Sequence, residues 1–309
     1  MAWYRGINPK GSQLIEKEQE VVGENDLIYY SLGMAYFQFI NIGIKTDAKY
    51  LDMAEEYAKK AIQLNPSSPD ALSLISMIHE TRGDVRKAIE YSKRAIEFGP
   101  NNVNALLIHS FLYCVVGKGN LAKPYADRLL QIDPLSSTSY VVFIWLFITQ
   151  GEQEKLLEYA QKLYDMDPQN PGCRWYLGWA LLVNNYKERA LDIFNLIVKQ
   201  NPETIYASLS WLYTHSLNDN ISGFHEALDE KLIQIAEIDH LFSWLLAECF
   251  ALIGDNDAAI TWLEKAVNKG RIDYPFLNNY DRLLDNIRGE ERFKKLMERV
   301  KKEWDEFEV

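Results

Sequence analysis

The residues able to do chemistry are scattered along this 309-residue chain rather than clustered. Two histidines four apart on one helix face make a zinc site, but His79, His109, His215, His225 and His240 show no such spacing. Cys114, Cys173 and Cys249 form no CxxC pair, so they read as small buried hydrophobes in a reduced compartment. A phosphate loop requires GxxxxGK[ST], and GKGN at 117–120 has too little around it, so it reads as an inter-helix turn. GDND at 254–257 lacks the spaced carboxylates and following glycine of a calcium loop. Asn220-Ile-Ser is a formal glycosylation triplet, but MAWYRGINPKGSQ at the N-terminus lacks the apolar core of a signal peptide. These residues predict a protein that is not an enzyme and takes no cofactor and no metal.

Aromatic side chains are the remaining chemistry. They make up 13% of the chain, with 8 Trp and 18 Tyr. WYLGWALLV at 175–183 is apolar nearly all the way round if helical. Leu177, Gly178 and Leu181 lie on one stripe, and Trp175, Trp179 and Leu182 on another, so this helix must face two neighbours. A net charge of −11 opposes binding to nucleic acid or anionic lipid. The C-terminal cluster Lys294, Lys295, Arg299, Lys301 and Lys302 is interleaved with acids and reads as a solvated helix face. The longest apolar run, YVVFIWLFI at 140–148, falls far short of the about 20 residues that span a bilayer. The expectation is a cytoplasmic protein without nucleic-acid or membrane partners.

The positioning elements repeat. Pro66, Pro100, Pro134, Pro168 and Pro202 stand 34 residues apart, and each marks a helix boundary, because proline lacks the N–H to continue a helix and disfavours helix at the residue before it. Ala54, Ala88, Ala122, Leu156 and Ala190 lie twelve residues before these prolines, and Ala61, Ala95, Leu129, Leu163 and Ile197 five before. Gly83, Gly117, Gly151 and Asn185 mark a break in mid-unit. Two helices per unit, with small residues where they cross, is a repeated helical hairpin.

This pattern resembles the tetratricopeptide repeat family. Its inner helices carry LGMAY, ISMIH, HSFLY, IWLF, LGWAL and LAECF, and its outer helices segments such as AEEYAKKAIQLNP and KAIEYSKRAIEFGP. The resemblance implies an all-α, right-handed α-solenoid of about seven hairpins over residues 26–270, after a leader at 1–25 and before a capping segment at 271–309. The first repeat carries an insertion near 37–53, and the sixth, near 205–239, is degenerate. The tail is similar to those ending bacterial arrays, with Phe293, Leu296, Met297, Val300 and Trp304 forming the apolar stripe of a cap.

In such a stack the first helix of each hairpin lines the concave wall. The column of Trp179 then reads Met34, Met77, Phe111, Trp145, Trp179, Tyr213 and Glu248, and Trp175 aligns with Trp244. Met77, Phe111, Trp145, Trp175, Trp179, Leu182, Tyr213 and Trp244 are therefore the expected wall of a hydrophobic groove for an apolar or aromatic peptide. Large aromatics bring about 150–250 Å² each, more together than a monomer usually leaves bare. Something must cover them. The occupant is a protein or peptide partner, tight winding of the repeats on themselves, or self-occupancy by Trp3, Tyr4 and Ile7, by the C-terminal stripe or by a neighbouring copy. Relatives that grip chaperone tails clamp a carboxylate with Lys, Asn and Arg, whereas the corresponding columns here hold residues such as Ser73, Leu107, Val141 and Trp145. The functional expectation is an adaptor or scaffold. The alternative is the sensory or regulatory segment of a larger bacterial signalling protein that dimerises or binds a small apolar ligand.

Overall fold

Each proline of the 34-residue ladder sits in a turn between helices. The residues before them, Asn65, Gly99, Asp133, Asp167 and Asn201, all leave the helical region, with φ between −147° and −132°, as the steric demand of a following proline requires. Two residues after each proline comes a polar residue, Ser68, Asn102, Ser136, Asn170 or Thr204, whose side chain accepts a backbone N–H in the first turn of the next helix. Pro and cap together stop one helix and start its successor.

The computed structural model describes residues 24–307. Inner and outer helices alternate: α1 (Asp26–Asn41) with α2 (Lys49–Leu64), α3 (Pro69–Thr81) with α4 (Val85–Phe98), and α5 (Val103–Val115) with α6 (Gly119–Ile132). The series continues with α7 (Ser137–Gln150) and α8 (Gln153–Met166), then α9 (Pro171–Val183) and α10 (Lys187–Gln200). In the sixth hairpin α11 (Ile205–Leu217) is followed not by one long helix but by two short ones, α12 (Ile221–Ala227) and α13 (Glu230–Ala236). The pair α14 (His240–Leu252) and α15 (Asn256–Asn268) restores the pattern. A π-helical turn (Phe276–Tyr280), a 3₁₀ turn (Arg282–Ile287) and the capping helix α16 (Glu291–Asp305) complete an all-α solenoid without strands among the described residues. No helix among the described residues is long and apolar enough to cross a membrane.

The breaks within hairpins also keep step. Gly83, Gly117, Gly151 and Gly254 take positive φ, and so do Asn185 and Asp219. The left-handed residue lets each inner helix end and the chain turn back at once. Asn185 and Asp219 fill this role because their short polar side chains tolerate that region better than most.

Packing across a hairpin explains the small-residue column. A Cβ placed on Gly178 would come within 2.6 Å of Cε1 of Phe194 on α10. Phe194 is fully buried and stacks on Tyr213 with ring centroids 5.5 Å apart, so it has nowhere to retreat. Gly178→Ala should therefore lower the chain's unfolding free energy by about 1–3 kcal/mol, measured in a denaturant titration. An unchanged midpoint would show that the hairpin has slack there.

Candidate functional site

The inner helices do enclose a concave space, and the chain's own C-terminal third fills most of it. Trp244, on α14, lies at the centre. Its ring packs against Trp179 on α9 at 5.6 Å, Trp145 on α7 at 6.2 Å and Phe276 in the π-helical turn at 5.5 Å. Its indole N–H donates to Asp281 Oδ2 at 2.7 Å. Four residues on, Glu248 accepts the Trp179 indole N–H at 3.0 Å and the Tyr213 hydroxyl on the same carboxylate oxygen. The Arg271 guanidinium rests on the Trp244 ring, 4.0 Å from its centroid.

The aromatic wall is thus inside the protein. Trp145, Trp175, Trp179, Tyr213 and Trp244 are each at most 4% exposed, and Leu182 is buried as well. This differs from the open slot expected from their columns. The physical reason is closure of the superhelix. Its last elements return to the inter-helix turns of the second and third repeats: Trp304 Nε1 donates to the Gly117 carbonyl at 3.2 Å, and Lys118 Nζ to the Trp304 carbonyl at 3.0 Å. Arg86 lies 4.5 Å from the Phe307 ring, and His240 Nε2 meets Glu80 Oε1 at 2.5 Å. A carboxylate on α14, in the column otherwise occupied by Met, Phe, Trp and Tyr, is buried because the rings opposite it carry N–H and O–H donors. Trp3, Tyr4 and Ile7 lie outside the described residues.

One pocket stays open on the concave face, with a volume of about 230 Å³. Of the expected wall it takes Met77, Phe111 and Trp175, and Trp145, Trp179, Leu182, Tyr213 and Trp244 do not line it. Leu107, Val141, Leu209 and Phe242 are among its other apolar lining residues, while Gln38, Glu80 and Asp239 make one end polar. Phe242 and Leu245 belong to the helix that plugs the groove, so their place on the wall follows from ring closure, which no local pattern announced. Phe111 is half-buried and held edge-on against Trp145 at 5.5 Å. The Trp175 indole N–H meets no acceptor among the described residues.

Beneath this pocket is a charged core that the sequence did not reveal. Arg271, Asp273 and Asp281 are each 1% exposed, and Glu248 is fully buried. Loss of water holds all three carboxyls above the ordinary carboxylate range, against the pull of Arg271: Glu248 well above it, Asp273 at about 7 and Asp281 at about 6. An acid whose folded pKa is raised binds its proton more tightly folded than unfolded, so the stability tied to that proton is present at low pH and lost as pH climbs through the folded value. Asp273→Asn, which keeps the acceptor used by the Phe276 N–H but cannot ionise, should gain stability relative to the parent as pH rises from about 4 to about 7 and then level off. Paired melts across that range check it; a difference that stays flat with pH would remove Asp273 as the titrating group.

The histidines have structural company. His109 Nδ1 lies 2.8 Å from Ser92 Oγ in the core, and burial pushes its pKa down to about 4. His79 stacks on Tyr91. Among the described residues no group of His, Cys, Asp and Glu could hold a metal ion.

Comparison with known proteins agrees with this architecture. The family model described as tetratricopeptide repeat matches residues 51–103. No curated protein matches the sequence. Among solved structures, a thermophilic TPR protein of Thermus thermophilus superposes with a TM-score of 0.52 at 18% identity, covering 60% of this chain and 98% of its own. A tetratricopeptide repeat protein from Parabacteroides merdae gives 0.51 at 12% identity over 83% of this chain and 91% of that one. The human IFIT1 dimer with m7Gppp-AAAA gives 0.58 at 12% identity over 95% and 77%. At such identities the likeness is one of fold.

Proposed function

We propose, from the tetratricopeptide-repeat match over residues 51–103 and the fold shared with solved tetratricopeptide-repeat proteins, that this chain is a non-enzymatic interaction module whose concave pocket takes a single bulky apolar side chain of a partner protein. The pocket itself is the observation that carries this reading. It is apolar over most of its wall, is built from seven helices distant in sequence and remains open although the neighbouring groove is filled. Its 230 Å³ compares with the roughly 300–1,000 Å³ of sites that bury a whole drug-sized ligand, so the space suits one large side chain better than an extended strand. The net charge of −11 and the acidic groups on the lining favour a peptide over a ligand with a phosphate backbone. Binding of this kind places one anchor in a desolvated cavity and leaves the flanking contacts near neutral in energy.

Indole, a stand-in for the anchor, tests the reading. Calorimetric titration should detect it binding to the parent chain and at least about ten-fold more weakly to Leu107→Trp, whose larger ring fills the pocket from a half-buried position. Circular dichroism should be unchanged by the substitution. Equal indole binding by both proteins would exclude this pocket as the anchor site.

A further inference from the structure

The pocket is not uniform along its length. Its walls are apolar where α3, α5, α7 and α9 contribute Met77, Phe111, Val141 and Trp175, but where α1 and the start of α14 meet the end of α3 it carries two carboxylates, Glu80 and Asp239. Among the described residues no lysine or arginine lines it. Glu80 is bonded to His240 Nε2, and both side chains are nearly buried, at 11% and 2% exposed. Asp239 caps α14 through one oxygen, which accepts the Leu241 N–H at 2.7 Å. The charged groups acting on Asp239 are His240, Glu80, Lys269 just past the end of α15, and the buried Arg271, none of which but Glu80 lines the pocket. The Lys269 ammonium is spent on the Ala236 carbonyl and the Ser243 hydroxyl. Burial is the main cause that raises the Asp239 pKa; the neighbouring His240 lowers it and the Glu80 charge raises it again, so the carboxylate is desolvated beside a second acid without full compensation from the cations around it.

Resting on the pocket reading above, we propose that the preferred partner segment carries a basic residue, Lys or Arg, immediately beside its bulky apolar anchor, and that Glu80 and Asp239 receive that cation. The anchor enters among the apolar walls, and the neighbouring ammonium or guanidinium reaches the acidic end. There it relieves the repulsion between the carboxylates in a site screened less than open surface. The same two residues disfavour an acidic neighbour, so selectivity comes from repulsion as much as attraction.

Three end-blocked tetrapeptides, Gly-Trp-Lys-Gly, Gly-Trp-Gln-Gly and Gly-Trp-Glu-Gly, titrated calorimetrically to millimolar concentration into the full chain, test this. The expected order of affinity is Lys, then Gln, then Glu, with about ten-fold between the extremes, equivalent to about 1.4 kcal/mol. That spread should shrink at high salt. It should also collapse in the double variant Glu80→Gln, Asp239→Asn, which keeps the acceptor for His240 and the cap on α14. Equal binding of all three peptides by the parent chain overturns the acidic-end proposal and leaves the pocket reading standing. Failure of every peptide to bind the folded parent overturns both. The parent-chain comparison decides the matter even if the double variant does not fold.

Discussion

Trp179→Ala should cost about 3–5 kcal/mol of stability, the range for emptying a large aromatic site in a packed core, and lower the melting temperature by about 10 °C. The ring is 1% exposed and touches Trp175 and Trp244, at 6.4 and 5.6 Å. Its N–H and the Tyr213 hydroxyl both donate to Glu248 Oε2, and the other carboxylate oxygen of Glu248 has no donor among the described residues. Truncation therefore opens a cavity and strips a buried acid of a hydrogen bond at once, and the second loss carries the full desolvation penalty. Glu248→Gln keeps an acceptor for both donors without the charge and should cost far less. Thermal melts followed by circular dichroism compare the two. Were Trp179→Ala to melt with the parent while losing indole binding, the ring would belong to the binding surface and not to the core.

That outcome marks where sequence legibility stops. The 34-residue prolines, the crossing alanines and the mid-unit glycines each act within a few residues of themselves, through φ limits, missing N–H groups and close packing, so the hairpins could be read from them. The stripes of α9 were legible too, since helical spacing fixes which side chains share a face. What lies opposite a face was not. Trp179 and Tyr213 stand in columns that a shallow superhelix would expose, and they are covered because the chain winds far enough for Glu248, 69 residues beyond Trp179, to reach them. Small rotations summed over many hairpins set that winding, and no single residue encodes it. One hint was present: Glu248 interrupts an otherwise apolar column. A lone carboxylate facing Trp and Tyr is a hydrogen-bond acceptor for their N–H and O–H groups, which points to burial in a pair. Met77 and Phe111 retain a place on the pocket because they lie on the early repeats, away from the Trp244 plug.

The seam that closes the ring should be most vulnerable at Arg271. Arg271→Ala is expected to lose about 3–5 kcal/mol at neutral pH, as for a buried charge set broken by removing one member. The guanidinium lies over Trp244 and within 5.6 Å of the Trp145 and Phe276 rings, and its charge acts on Glu248, Asp273 and Asp281. Its Nε and Nη1 have no hydrogen-bond partner among the described residues, so its contribution is electrostatic and steric rather than a set of good hydrogen bonds. Deleting it leaves three carboxyls facing one another, and their pKa values rise further because Arg271 now holds all three down. Each raised acid destabilises the fold between its unfolded and its folded pKa, and variant and parent diverge only above the parent's folded values of about 6 and about 7, so the loss should be small near pH 5 and largest near pH 8. Arg271→Met, which keeps much of the stem over the rings, should recover the packing share at both pH values and none of the pH dependence. Denaturant melts at the two pH values separate these shares, and an equal loss at both would show that the guanidinium acts by packing alone. Limited proteolysis adds the link to function: if the charged core is what holds α14 and the elements after it in the groove, Arg271→Ala at pH 8 should be cut faster between residues 270 and 305 than the parent. It should also bind indole more weakly at the pocket, because releasing α14 removes Phe242 and Leu245 from its wall.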